Sequence, residues 1–160
     1  MSPHLNFEDW LALTQLYADY ASAVDSGHWD LWPEFFTEQC VYRLQPRENH
    51  ERGFPLATLS FTSKGMLKDR VYGIKETLFH DPYYQRHIVG TPVVRSAEGG
   101  QFRCEANYAV FRTKLSDAST VFNVGRTLDT VVRTAEGLKF ASRECIYDTE
   151  MIPNSIIYPI

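Results

Sequence analysis

"STVFNVGRTLDTVVRTAEGLKFASRECIYDTEMI", residues 119–152, sets the fold by its period. Apolar and polar residues alternate through it, as in a strand with one face on a core and the other in water. Glu136-Gly137 breaks the alternation where a tight turn fits. Upstream, 101–114 and 84–97 alternate in the same way, and Gly99-Gly100 separates them. Four β-type runs, 84–97, 101–114, 119–135 and 138–152, therefore predict an antiparallel meander. Each run is about 14 residues, longer than most strands, so bends and bulges are expected. Gly90 and Gly125 are the candidates for those bends.

The first half has helical spacing. Asn6 is a good N-cap, with Glu8 and Asp9 in the first turn and Leu5 and Trp10 at the staple positions. Phe7, Trp10, Leu11, Tyr17, Tyr20, Ala21 and Val24 are read as one apolar stripe, ended by Gly27. "HWDLWPEFF" predicts a small helix with Pro33 in its first turn. "CVYRLQP" reads as a strand closed by Pro46, and "RENHERGFPLATLSF" as a loop. "SKGMLKDRVYGIKETLF" predicts a second long helix, capped by Ser63 or Thr62, with Met66, Leu67, Val71, Ile74 and Leu78 at helical spacing. Helices first and strands after make an α+β chain, with helices on one face of a curved, mainly antiparallel sheet. Residues 1–160 read as a single domain without repeats or linkers.

Composition narrows the function. A net charge of −4 argues against a general nucleic-acid binder. No apolar run approaches the ~20 residues that span a bilayer, so no membrane partner is expected. "MSPHLNFEDW" lacks the pattern of a secretory signal. Cys40, Cys104 and Cys145 are far apart, which fits reduced, buried thiols in a cytoplasm.

"HDPYYQRHIVG", His80 to Gly90, raises the question of a metal site. Pro82 biases Asp81 to an extended conformation. If extended, His80 and His87 are roughly 20 Å apart and face opposite sides. His4, His28 and His50 form no ligand-spaced cluster, and the cysteines form no C-x-H or C-x-x-C pattern. No phosphate loop, G-x-G-x-x-G or G-x-S-x-G is present. The expectation from the residues is a chain free of metal, with no cofactor motif and no serine nucleophile.

A cone-shaped cavity could still support acid–base chemistry. The available groups are His87, Asp129, Tyr17, Tyr20, Asp25 and Tyr108. A stand-alone dehydratase or isomerase, or a small-ligand binding module, are thus the alternatives. Two features favour assembly. "PRENHERG", 46–53, is dense in Arg and Glu. "MIPNSIIYPI" ends in Ile156, Ile157, Tyr158 and Ile160, with Pro153 and Pro159 limiting regular structure. Such a tail should be pinned at or beside a subunit boundary.

"YRLQPRENHERGFPL", "SKGMLKDRVYGIKETLFHDPYYQRHIVG", "FNVGRTLD" and "CIYDTEMIPNSIIYPI" together resemble the small (beta) subunit of Rieske-type aromatic-ring hydroxylating oxygenases. The resemblance runs from about Leu5 to Ile160. Its most specific signals are Arg47, Glu48 and Asn49; Asp69, Arg70 and Val71; Arg86 with His87; and Gly125 with Asp129. Within the family it is most similar to the salicylate-hydroxylating branch. The resemblance implies a cone-shaped fold similar to nuclear transport factor 2. It also implies a non-catalytic subunit that trimerises at the base of an α3β3 hexamer. The large (alpha) subunit would carry the Rieske [2Fe-2S] cluster and a mononuclear Fe(II), with NADH as electron source through a reductase. Arg86 and His87 would make structural hydrogen bonds and ion pairs.

Overall fold

The computed structural model describes residues 5–152 and 155–160, so His4 and Pro153 lie outside the described residues. Helix α1 spans Phe7–Asp25, and Asn6 caps it by accepting the Asp9 N–H at 2.7 Å. Its buried residues are Leu13, Leu16, Tyr17, Tyr20, Ala23 and Val24. The stripe expected from the sequence is corrected at its N-terminal end. At about 100° per residue, Phe7 and Leu11 point roughly 120° and 160° away from Leu13. They are 71% and 49% exposed, and Phe7 stacks on Trp10 on the outside. Gly27 follows the helix with φ +71°, as a C-terminal glycine should.

A 3-10 helix, Trp29–Phe35, comes next; Pro33 is in its middle rather than its first turn. Strand β1, Phe36–Pro46, contains the expected "CVYRLQP". The following stretch is not simply a loop. Arg47–Glu51 forms a short helix, α2, and Leu59–Phe61 a short strand, β2, paired antiparallel with β1. Helix α3 spans Lys64–Tyr72, with Ser63 accepting the Met66 N–H at 3.2 Å. It continues as one π-helical turn, Gly73–Thr77. Leu67, Val71 and Ile74 are buried, whereas Met66 and Leu78 stand on the rim.

The β half is a meander with one split. The first run becomes β3, Tyr84–Val89, and β4, Val93–Glu98, which pair with successive parts of the same edge of β5, Gln101–Thr113. Gly90 marks the break and donates its N–H to Asn107 O at 2.8 Å. Strands β6, Thr120–Thr134, and β7, Gly137–Tyr147, complete the antiparallel part. Gly99 and Gly100 both have positive φ, the requirement of a type I′ hairpin turn. Strand β1 then lies parallel to β7, giving the order β2-β1-β7-β6-β5-β3 with β4 also on β5.

Besides the break at Gly90, bulges interrupt the pairing of β5 with β6 and of β6 with β7. Val110 and Phe111 face Asn123 and Val121, which leaves Phe122 as an extra residue. Thr130 and Val131 face Ser142 and Phe140, which leaves Ala141. Gly125 serves a different purpose. A Cβ there would stand 2.1 Å from Ile146 O and 2.7 Å from Tyr147 Cα, so β6 and β7 pass too close for any side chain. The sheet curls around a core of aromatic rings from α1, the 3-10 helix, β1 and β7, with Tyr20, Trp32, Phe36, Tyr42 and Phe140 fully buried.

Candidate functional site

The inner face of the curled sheet holds polar groups that strand alternation points inward. Asp129 on β6 and Arg143 on β7 are directly paired residues of neighbouring strands. Asp129 Oδ2 accepts from the Tyr17 hydroxyl and, at 2.7 Å, from the Thr127 hydroxyl. Arg143 Nη1 is 3.5 Å from the same oxygen. The guanidinium lies over the rings of Tyr20, Phe140 and Tyr17, at 4.2, 4.7 and 5.3 Å. Both side chains of the pair are almost wholly buried, at 3% and 0% exposed.

Burial pushes the Asp129 carboxyl above its ordinary pKa, opposed by Arg143 and by the Tyr17 and Thr127 hydrogen bonds. Burial also works against the Arg143 charge, but Asp129, together with Tyr20, Cys145 and Tyr17, more than offsets it. Desolvation, with Asp129 beside it, pushes the Tyr17 hydroxyl far up, so Tyr17 acts as a donor and does not ionise. A general base needs an accessible lone pair near a substrate. Here Oδ2 of Asp129 is engaged by a cation and two hydroxyls, and Oδ1 is buried away from solvent.

His87 does not meet Asp129. It faces α1, where its Nδ1 is 2.6 Å from Asp25 Oδ1 and its backbone N–H donates to Asp25 Oδ2 at 2.8 Å. The two side chains are 2% and 5% exposed. This contact ties the end of α1 to β3. Arg86, on the opposite face of β3, is exposed. His80 is far from this dyad in role: its Nε2 is 2.8 Å from the Tyr158 hydroxyl. Among the described residues, no group of three or more His, Cys, Asp or Glu is placed to hold a metal ion.

The remaining candidates divide into two sets. Arg47 bridges Glu51 at 2.8 Å and Asp148 at 3.4 Å, Glu48 bridges Arg52 at 3.1 Å, and Asn49 donates to Leu56 O at 3.0 Å. All of these are on the surface, where such pairs contribute little stability. The tail, in contrast, is buried against its own chain. Ile156, Tyr158 and Ile160 are 5%, 9% and 1% exposed. Arg70 donates to Ile156 O and Ile157 O at 3.1 and 2.9 Å, and Ile160 O accepts from Tyr20 and Tyr42 at 2.8 and 3.1 Å. Ile156 and Ile160 join the core cluster of their own chain, so these side chains are covered before any subunit boundary beside them is considered.

The described clefts lie on the outside. The roomiest, about 780 Å³, is lined by α2 and residues 147–150, and none of them is lined by Asp129, Arg143, Tyr17 or His87. The three cysteines are free and buried. Burial pushes Cys104 up to about 12 and Cys145 up to about 11, so both are thiols at neutral pH. We expect the folded chain to resist a disulfide-exchange reagent until it unfolds. Stoichiometric labelling of native protein within minutes would contradict this packing.

With this geometry in place, comparison with known proteins gives the class. Residues 6–144 match the SnoaL-like domain. The chain is 31% identical over 155 residues to the anthranilate 1,2-dioxygenase small subunit of Burkholderia cepacia, covering 97% of this chain and 96% of that one. It is 29% identical to a beta subunit of the terephthalate 1,2-dioxygenase terminal oxygenase component of Comamonas, covering 89% and 93%. A crystal structure of the beta subunit of a provisionally assigned aromatic-ring-hydroxylating dioxygenase from Novosphingobium aromaticivorans superposes with a TM-score of 0.87 at 32% identity, covering 94% and 96%. The chain belongs to the SnoaL-like family, and within it to the small subunits of aromatic-ring-hydroxylating dioxygenases.

Of the groups that matter in the interior, Asp129, His87, Tyr17, Tyr20 and Asp25 were candidates on sequence. Arg143, Thr127, Tyr42 and Gln85 were not. Arg143 had a visible signal: it shares strand parity with Cys145 and Tyr147, so a charge was aimed inward.

Proposed function

We propose that this chain is the non-catalytic assembly subunit of a Rieske non-haem iron oxygenase that hydroxylates an aromatic acid. The observation that carries the reading is that the acid–base candidates in the cone are engaged by other residues of the chain: Tyr17 by Asp129, His87 by Asp25, Tyr20 by Ile160 O and Tyr108 by Asn123. The relatives named above are small subunits of oxygenases, by name, for anthranilate and terephthalate.

In this reading the partner is a large subunit, arranged with this chain as an α3β3 hexamer in which three copies of this single domain form the base. The large subunit holds the [2Fe-2S] cluster and the mononuclear iron. NADH supplies electrons through a reductase. The proposed substrate is salicylate, converted to 2,5-dihydroxybenzoate (gentisate). Salicylate differs from anthranilate only in bearing a hydroxyl where anthranilate bears an amine, which supports an ortho-substituted benzoate. The proposed location is the cytoplasm, with no nucleic-acid or membrane partner. No described helix is long and apolar enough to cross a membrane.

Co-expression with a large subunit of the same oxygenase class, followed by turnover assays on substituted benzoates, tests the proposal. We expect a stable complex that hydroxylates salicylate. A chain that turns over a substrate alone, or that never joins a large subunit, would overturn it. Elemental analysis of the isolated chain gives a simpler check. We expect far less than one iron or zinc per chain; about one per chain, lost on replacing His80 or His87, would contradict the assignment of both metal centres to the partner.

A further inference from the structure

We propose that the inner end of the cone is a peptide-recognition site whose resident ligand is the chain's own segment 155–160. The segment has no regular secondary structure. A strand satisfies its backbone through the backbone of its neighbours. Here side chains from separate elements do so instead. Arg70 of α3 donates to the carbonyls of Ile156 and Ile157, and Gln85 of β3 donates to Pro159 O at 3.0 Å. Tyr42 of β1 accepts the Ile160 N–H at 3.0 Å, while Tyr20 of α1 donates to Ile160 O at 2.8 Å.

Side-chain contacts add selectivity. Tyr158 stacks on Trp29 with ring centres 4.6 Å apart, and its hydroxyl meets His80 Nε2 at 2.8 Å. Ile156 and Ile160 enter the main core cluster. Polar groups that read a peptide backbone, alternating with pockets for its side chains, are the elements of extended-peptide recognition. The ligand class is therefore a short extended peptide with an aromatic residue before proline and branched aliphatic residues on either side. The segment is a latch that seals the interior, and the groove that holds it is separable from it. This inference stands apart from the oxygenase reading, because it concerns contacts within one chain.

The test uses the full chain with a protease recognition sequence inserted between Ile152 and Ser155, cut after folding. Native mass spectrometry reads whether the freed segment stays bound. The probe is the synthetic peptide Ser-Ile-Ile-Tyr-Pro-Ile, with Trp fluorescence and melting temperature as readouts. We expect the cut chain to retain the segment one-to-one, and to rebind the peptide with recovery of the melting temperature once dilution has released the segment. A peptide carrying Tyr158→Ala should bind about tenfold or more weakly. The uncut chain should not bind the probe, since its groove is filled. Three results would overturn the proposal: release on cutting with no rebinding at millimolar peptide, unfolding of the cut chain despite excess peptide, or equal binding by cut and uncut chains.

Discussion

Replacing Arg143 by alanine is expected to destabilise the folded chain by about 3–5 kcal/mol, the cost of leaving a buried carboxylate without its partner. Arg143 is 2% exposed, and its removal strips Asp129 of its only described cation while emptying the space over three aromatic rings. In a chain of this size each kcal/mol shifts the melting temperature by roughly 2–4 °C, so a fall of ~10 °C is the expected scale. The partner variant makes the reasoning specific. Combining Arg143→Met with Asp129→Leu removes both charges and refills the volume, so it should recover part of the loss, the remainder being the Tyr17 and Thr127 hydroxyls left without their acceptor. Should Arg143→Ala melt within about 2 °C of the parent, or the double variant be worse than the single one, the buried pair would not be the strut described here.

Gly125→Ala is the second large effect. The added methyl would meet backbone atoms of β7 at 2.1 and 2.7 Å, and backbone, unlike the tip of a long side chain, has little room to give. The strands must separate where Gly125 faces both Tyr108 and Tyr147. Overpacking of this kind costs about 3 kcal/mol or more when the neighbour cannot move. Urea unfolding should show a lower midpoint with an unchanged slope, the mark of lost stability rather than altered compactness. An unchanged midpoint would mean that β6 and β7 can part without cost, and the close approach would lose its significance.

The sequence was most legible where one face of an element is buried and the other wet. Strand β5 alternates buried and exposed residues from Gln101 to Val110, and its parity is readable without coordinates. Asn6 and Ser63 were readable caps because a small polar side chain before an apolar run has one obvious hydrogen bond to make. The stripe of α1 was misread at its start because Phe7 and Leu11 are apolar yet face outward, and hydrophobicity alone does not show which side of a helix is covered. Helix α2 and strand β2 were missed because they are short, five and three residues, and β2 is defined by its pairing with β1. The parallel pairing of β1 with β7 has no local signal, since it joins segments about 100 residues apart.

The same distinction applies to the candidate site. Residue types and strand parity could place Asp129 inside, but not choose between Arg143 and His87 as its companion. That choice depends on which strand lies next to β6, and the answer is β7. His87 is instead two strands away, on β3, where the last turn of α1 brings Asp25 to it. The tail was read as apolar and in need of cover. Its cover came from Tyr20, Tyr42, Arg70 and Gln85, four residues on four elements. No pattern along the chain announces such a convergence.

The central claim is that this subunit builds the oxygenase without taking part in its chemistry. Its most direct test is the turnover, per occupied iron centre, of purified complexes carrying Asp129→Asn or Tyr17→Phe. Complex size and iron content are measured on the same preparations. The account predicts that complexes of full size and full iron content turn over within a few-fold of the parent, whatever stability the variants lose. A loss of ~100-fold or more in kcat, with complex and iron intact, would place Asp129 or Tyr17 in the reaction and contradict it.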